Sequence, residues 1–277
     1  MIKSISSPFQ TPAAPGVLCV ILDASFDPDL PAYVDHIMGD GFERCMPLFD
    51  DTPYAGLQAA GPFALLYPVP STSVEHARRL LARADAGCVA YLEDEQTFEK
   101  AVKHWRSLLT ISTEDAPARL MRFFDPRWLE PLLNSLNESQ LLQFMGPLTD
   151  IAWRNELGWR HLANPRPDPH AELQEPGWLH LSVEHQAQMD EHRLHVLADR
   201  FALDYQSVLS MPDPVTFVYR QLLGARHTGY LQLAEQERWL RLALRQGDGF
   251  WSRSPSTELL ARNDLGLGDK LIELERL

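Results

Sequence analysis

Short apolar segments alternate with helix-like segments along the first 124 residues, and this alternation limits the folds that the chain can adopt. Four segments rich in β-forming residues are interpreted as buried strands: Val17 to Asp23, Phe63 to Tyr67, Gly87 to Leu92 and Ala118 to Phe124. Helices are predicted between them: Asp29 to Met38, Ser73 to Ala84 and Glu95 to Leu109. This order predicts an α/β N-terminal lobe, built on a mixed or parallel sheet with helices.

A tight strand-to-helix corner is predicted at residues 122–129, which read RFFDPRWL. Proline has no N–H for a sheet ladder, so Asp125-Pro126 ends the strand. Aspartate suits the N-cap of a helix and proline its first turn, which predicts a helix from Pro126 to Leu136. Arg122, Asp125 and Arg127 then crowd one corner. Two interpretations stay open: a structural clamp, or an Arg127 guanidinium that pairs with a partner's carboxylate.

Several segments of the first half, taken in order, resemble a known family. RFFDPRWL looks like the RFYDPRVL-type signature of the bacterial type VI secretion effector adaptor chaperones, the Tap/TEC family, whose shared domain has no described function. The other similar segments are the strand that ends in Asp23, Leu48-Phe49-Asp50-Asp51-Thr52-Pro53, Gly61-Pro62-Phe63, His104-Trp105-Arg106-Ser107-Leu108-Leu109 and Phe144-Met145-Gly146-Pro147. Trp105 and Phe124 stand where the family often has leucine and tyrosine, and both keep apolar bulk.

The resemblance, which covers residues 17 to 155, implies a function in binding. It implies a non-enzymatic adaptor chaperone of the cytoplasm that binds a secreted effector protein and loads it onto the VgrG spike protein. Neither nucleic acid nor membrane is an expected partner. The residues that it singles out as a structural or partner-binding motif are Arg106, Arg122, Asp125, Pro126, Arg127 and Trp128.

Composition agrees with such a role by exclusion. A formal net charge of -13 argues against nucleic acid, because phosphate binding needs clusters of lysine and arginine, and against an anionic membrane surface. No run of apolar residues is long enough to cross a membrane, and no signal pattern opens the chain. Cys19, Cys45 and Cys88 are scattered and odd in number, which favours a reducing compartment. The acid-rich stretch from Asp23 to Asp51 is either a solvated face or a platform for a basic partner.

Catalytic patterns are weak. Asp23 ends a strand as the nucleophile of haloacid-dehalogenase-like phosphatases does, but Ser25 stands where those enzymes need a second acid. His192 and His195 could share a helix face, yet no HExxH pattern or cysteine pair accompanies them. No glycine-rich phosphate loop occurs. We therefore expect no catalytic, metal or cofactor residues; the alternative is a metal-independent or His/Asp-dependent hydrolase that uses Asp23.

The second half differs in composition and is predicted to be all-helical. The predicted domains are a flexible arm (1–16), the α/β adaptor domain (17–157), a proline-rich linker (158–181) and a helical lobe (182–277). Helices are predicted at Ser182 to Leu203, Pro214 to Arg226, Tyr230 to Arg245 and Ser256 to Asn263. Trp159, Trp178 and Trp239 form a possible partner surface, because tryptophan is enriched at binding hot spots. The alternative for Trp159 and Trp178, which flank the proline-rich segment, is that they staple the two lobes together.

Overall fold

The chain divides into two compact units, which we call unit 1 (Met1–Met189) and unit 2 (Asp190–Leu277). The computed structural model describes residues 1–9, 16–26, 29–30, 32, 44–67, 72–82, 86–155, 157–170 and 172–277. Most of the predicted helix from Asp29 to Met38 and much of the acid-rich stretch lie outside the described residues.

The described strands all belong to unit 1 and form two sheets. Their bounds are β1 Lys3–Ile5, β2 Val17–Asp23, β3 Arg44–Pro47, β4 Pro62–Tyr67, β5 Gly87–Leu92, β6 Thr110–Thr113, β7 Ala116–Leu120, β8 Leu148–Asn155, β9 Gly158–Ala163 and β10 Leu179–Leu181. Seven strands form one sheet in the order β1-β9-β8-β5-β2-β4-β3, and β10-β6-β7 form the other.

The predicted mixed or parallel α/β sheet is wrong, because every strand pair of the seven-stranded sheet is antiparallel. A helix (α1, Thr72–Leu80) does join β4 to β5, but β2 lies between these two strands and pairs with both. The helical crossover therefore links strands of the same direction that are not neighbours. The small sheet contains one parallel pair, β10 with β6.

Strand β2 is buried along its whole length, and its side chains alternate between two apolar clusters. Cys19 and Ile21 belong to one cluster, whereas Leu18 and Val20 belong to the other. Burial on both faces produces a continuous apolar run, a pattern also typical of parallel strands. The prediction that β2 is a buried strand is confirmed.

Unit 1 contains further helices besides α1. Their bounds are α2 Phe98–Leu108, α3 Pro126–Ser135 and α4 Glu138–Met145, and α5 Val183–Asp204 passes from unit 1 into unit 2. Helix α2 buries Phe98, Val102 and Trp105 on one face, as its amphipathic sequence predicts.

Three sequence predictions need correction within unit 1. The strand predicted at Ala118 to Phe124 corresponds to β7, which ends at Leu120 and is mostly exposed. Phe123 and Phe124 therefore lie in a turn, although both are buried. The predicted flexible arm contains β1, which pairs with β9. The predicted linker begins with β9 and ends with β10, so the chain there belongs to both sheets. Proline marked the irregular stretch between those strands, but too few β-forming residues flank it to indicate them.

Unit 2, all of whose residues are described, contains helices and no strand. Beyond the end of α5 it has α6 Pro214–His227, α7 Leu233–Gln246, α8 Ser256–Leu260 and α9 Leu267–Arg276. Its core is rich in aromatic rings, with Trp239 packed against Tyr230, Phe250 and Trp251. None of the helices in the described parts of the chain is both long and apolar enough to span a membrane.

Candidate functional site

The strand-to-helix corner is built around the buried carboxylate of Asp125. This residue is the N-cap of α3, and its Oδ1 accepts a hydrogen bond from the backbone N–H of Arg127 at 3.0 Å. The Arg127 side chain returns to the same carboxylate, with Nε 2.9 Å from Oδ1 and Nη2 2.6 Å from Oδ2. Pro126 occupies the first turn, as predicted. The Asp125 side chain is 1% exposed whereas that of Arg127 is 54% exposed.

Arg122 connects this corner to the end of β2. Its Nη2 donates to the Asp23 carboxylate and, at 2.9 Å, to Ser25 Oγ. Its Nε lies 4.0 Å from Asp125 Oδ2, and its guanidinium carbon lies 5.6 Å from the centre of the Phe124 ring. One half-buried cation therefore lies between two buried carboxylates, which come from residues about a hundred positions apart. This geometry favours the clamp interpretation of the corner.

Arg106 connects α2 to the segment Leu48 to Pro53 and to the residue before it, Pro47. Its Nη1 donates to Asp51 Oδ2 at 2.9 Å and its Nη2 to the Pro47 carbonyl at 3.0 Å. These bonds fasten α2 to the turn that follows β3. A side chain at Gly61 would meet the Phe49 ring, since a Cβ there would lie 2.6 Å from Phe49 Cδ2. The small residue lets β4 begin directly over that turn.

His104, on α2, connects this helix to the Phe144 to Pro147 segment. Its Nε2 lies 2.8 Å from the Phe144 carbonyl, so the proton is on Nε2 and is donated to that oxygen. Gly146 has φ +49°, and a Cβ there would lie 2.8 Å from the same imidazole nitrogen. Burial lowers the pKa of His104, and the bond to the carbonyl offsets only part of this effect. The imidazole is therefore neutral at pH 7 and serves as a fixed donor.

The motif residues are thus joined to one another. Asp23 meets Arg122, Asp51 meets Arg106, Gly61 meets Phe49, and His104 meets Phe144. Each contact connects two of the sequence segments that carried the resemblance. Their charges and donors are largely used inside unit 1, so the motifs form a framework rather than an open set of reactive groups.

A buried glutamate, Glu130, was not anticipated from the sequence. Its Oε2 accepts hydrogen bonds from Trp153 Nε1 at 3.1 Å and Asn155 Nδ2 at 2.9 Å, and its Oε1 accepts one from Arg160 Nε at 3.1 Å. These bonds join α3 to β8 and β9. The one signal in the sequence is an acid surrounded by apolar residues on a helix, between Leu129 and Pro131.

The tryptophans predicted as a partner surface are mostly engaged. Trp239 is fully buried in the core of unit 2, so its assignment to a surface is wrong. Trp159 is half-buried and meets the Phe9 ring edge-on at 5.7 Å. Trp178 is half-buried and donates from Nε1 to Ser107 Oγ at 3.1 Å. Trp128, of the corner, packs against the larger core cluster.

Asp23 and His195, two of the groups considered for hydrolysis, are each engaged in other contacts. The Asp23 side chain is 1% exposed, and it accepts bonds from Arg122 and from the Ser25 backbone N–H. His195 stacks on the Tyr219 ring, with centres 4.1 Å apart. Within the described ranges, no three histidine, cysteine, aspartate or glutamate side chains are grouped so that they could hold a metal ion.

Comparison with known protein families gives a match to the N-terminal half of the chain. Residues 18–143 match a protein family described as "Domain of unknown function (DUF4123)". No curated protein and no solved structure matches the chain. The matched residues include the corner, Arg106 and the turn around Asp51, and they end just before the Phe144 to Pro147 segment.

Proposed function

We propose that this protein is a non-enzymatic adaptor chaperone that binds a type VI secretion effector and loads it onto the VgrG spike. The observation that carries the proposal is that the RFFDPRWL octet and its companion motifs occur in order, and that all of them except the Phe144 to Pro147 segment overlap the DUF4123 match. The structure adds a supporting argument. The polar side chains of the motifs make hydrogen bonds and ion pairs within unit 1. Such an arrangement suits a protein that presents a fixed surface to a partner better than one that catalyses a reaction.

A division of labour between the units follows from their construction. Unit 1 is a rigid frame whose polar groups fix the ends of β2, α2 and α3. Unit 2 exposes apolar side chains on its helices and connections, among them Leu203, Val208 and Leu231. We assign the contact with the effector to unit 2, because an effector held for transfer requires apolar contact area as well as charge.

Co-purification tests the function. The tagged protein is expressed with the products of its two flanking genes and isolated at moderate salt. A stable complex with an effector-like or VgrG-like product is expected, and release of the effector-like product when the spike is added would separate a chaperone from a permanent scaffold. Isolation of well-folded protein with neither product would contradict the proposal.

Arg127 provides a sharper test of the corner. Arg127→Ala is compared with Arg119→Ala, since Arg119 is also about half exposed and paired with a nearby aspartate, Asp115. We expect Arg127→Ala to cost about 1 kcal/mol of unfolding free energy, because Asp125 is buried and loses part of its pairing. Arg119→Ala is expected to cost less, since an exposed pair contributes little. Complex formation lost at unchanged melting temperature would instead make Arg127 a contact residue.

A further inference from the structure

One pocket in unit 2 combines an apolar floor with a polar rim. It has a volume of about 410 Å³ and is lined by Arg220, Leu223, Gly224, His227, Thr228, Asp248 and Trp251. We call it the Trp251 pocket. Its volume falls within the range of sites that hold a ligand or a large side chain, about 300–1,000 Å³. It shares no residue with the motifs of unit 1.

The floor is rigid and apolar. Gly224 lies directly against the indole of Trp251, since a Cβ at this position would be 2.9 Å from the ring atom Cζ2. The other side of the indole belongs to the aromatic core, with the Trp239 ring centre 5.5 Å away and the Phe250 ring centre also 5.5 Å away. The indole is therefore held in place by its contacts with Gly224 and with two aromatic rings of the core.

The rim of the pocket carries an ion pair and a histidine. Both Asp248 carboxylate oxygens are already engaged: Oδ1 accepts from Gln221 Nε2 at 2.8 Å, and Oδ2 pairs with Arg220 Nη2 at 3.0 Å. A guanidinium has five N–H donors, and the ion pair with Asp248 is made through Nη2. Arg220 is 55% exposed at its side chain, and His227 is exposed on the next turns of the same helix. A ligand at the mouth of the pocket thus meets the Arg220–Asp248 ion pair, whose guanidinium has N–H donors besides those on Nη2, and an imidazole.

We propose that the Trp251 pocket receives an aromatic side chain of the protein partner, with a carboxylate next to that side chain paired to Arg220. The aromatic ring matches the indole and Leu223, and the carboxylate matches the donors that Asp248 leaves available. Tryptophan and arginine are the residues most enriched at binding hot spots. This inference rests on the proposed adaptor function and names the recognition chemistry of unit 2.

Three capped peptides test the chemistry directly on the full-length protein. They are acetyl-Glu-Phe-Glu-amide, acetyl-Lys-Phe-Lys-amide and acetyl-Glu-Ala-Glu-amide. Binding is followed by the indole N–H signals in a ¹⁵N–¹H correlation spectrum, and the Trp251 signal is identified by its loss in Trp251→Phe. We expect the first peptide to shift that signal saturably, with a Kd on the order of millimolar, and the other two to bind at least fivefold more weakly.

Matched variants locate the charge. Arg220→Glu should weaken the acidic aromatic peptide at least fivefold, whereas Arg262→Glu should leave its binding unchanged, because Arg262 is an equally exposed, ion-paired arginine elsewhere in unit 2. Equal binding of the lysine peptide, or a Trp251 signal that does not move while other signals do, would overturn the proposal.

The two proposals can fail separately. Arg220→Glu is also tested in the co-purification, where it should reduce recovery of the partner relative to Arg262→Glu. Peptide binding that depends on Arg220, together with unchanged recovery of the partner, would retain the pocket but remove it from the partner interface. Failure of the unmodified protein to recover any partner, with peptide binding intact, would contradict the adaptor function alone.

Discussion

Units 1 and 2 place their charges differently. Among the described residues of unit 1, three carboxylates are almost fully buried, those of Asp23, Asp125 and Glu130, and each is paired with an arginine. In unit 2 the ion pairs lie at the surface, as Arg238 with Glu275 and Arg262 with Asp264 do. Removing one partner of a buried pair leaves an uncompensated charge, whereas an exposed pair contributes little. Both units have apolar cores, but among the described residues the ion pairs with a buried carboxylate belong to unit 1.

The largest expected effect lies in unit 2. Trp239 is fully buried among three aromatic rings. Trp239→Ala should lower the unfolding free energy of unit 2 by about 3–5 kcal/mol, because it removes transfer energy and leaves a cavity. Hydrogen exchange of the intact chain measures this, and residues 190–277 should lose protection more than residues 1–189.

Leu231→Ala serves as the control for that experiment. Leu231 is in the same unit but 69% exposed, so its truncation should change stability by less than about 0.5 kcal/mol. Comparable losses from Trp239→Ala and Leu231→Ala would show that the aromatic core does not hold unit 2 together.

The next effect concerns the buried charges of unit 1. Arg122→Ala removes the cation that lies between Asp23 and Asp125. We expect the unfolding free energy to fall by about 2–3 kcal/mol. This is less than for a fully buried pair, because the Arg122 side chain is 32% exposed. Chemical denaturation followed by circular dichroism provides the measurement.

Arg262→Ala is the corresponding change in unit 2 and should cost about 0.5 kcal/mol or less, since both partners are at least half exposed. The contrast between the units would fail if the two arginine substitutions had equal effects. Recovery of stability in Arg122→Lys, at least in part, would assign the effect to charge rather than to the lost packing over Phe124.

Local chemistry made part of this fold predictable from the sequence. The Asp125-Pro126 pair fixed the start of α3, because an N-cap oxygen and a preset φ act within a few residues. The apolar runs of β2, β4 and β5 likewise identified strands. The relative direction of neighbouring strands was not predictable from the sequence. Strand β2 lies between β4 and β5, and the sequence of a strand does not indicate which strands will pair with it.

The candidate site shows the same limit. The crowding of Arg122 and Asp125 was visible in the octet, but the partnership with Asp23 joins residues far apart in the chain. Glu130 could not be predicted as a hub, since its donors come from β8 and β9, of which neither was predicted. The surface assignment of Trp239 failed because an aromatic residue on an amphipathic helix suits a core as well as an interface.

The smallest effect at neutral pH, and the one most dependent on conditions, belongs to His104. Burial lowers its pKa below the ordinary value of 6.5, so the unfolded chain takes up the proton first as the pH falls. The stability that the neutral imidazole contributes is fully present above pH 6.5 and is lost as the pH falls through the folded pKa.

His104→Gln retains an N–H donor for the Phe144 carbonyl but does not titrate. When the pH is lowered from 7.5 to 5.5, the melting temperature should therefore fall further for the unmodified protein than for His104→Gln. His170→Gln, at an exposed histidine, should behave as the unmodified protein does. If His104→Gln lost as much stability on acidification as the unmodified protein, protonation of His104 would not be the cause of the loss.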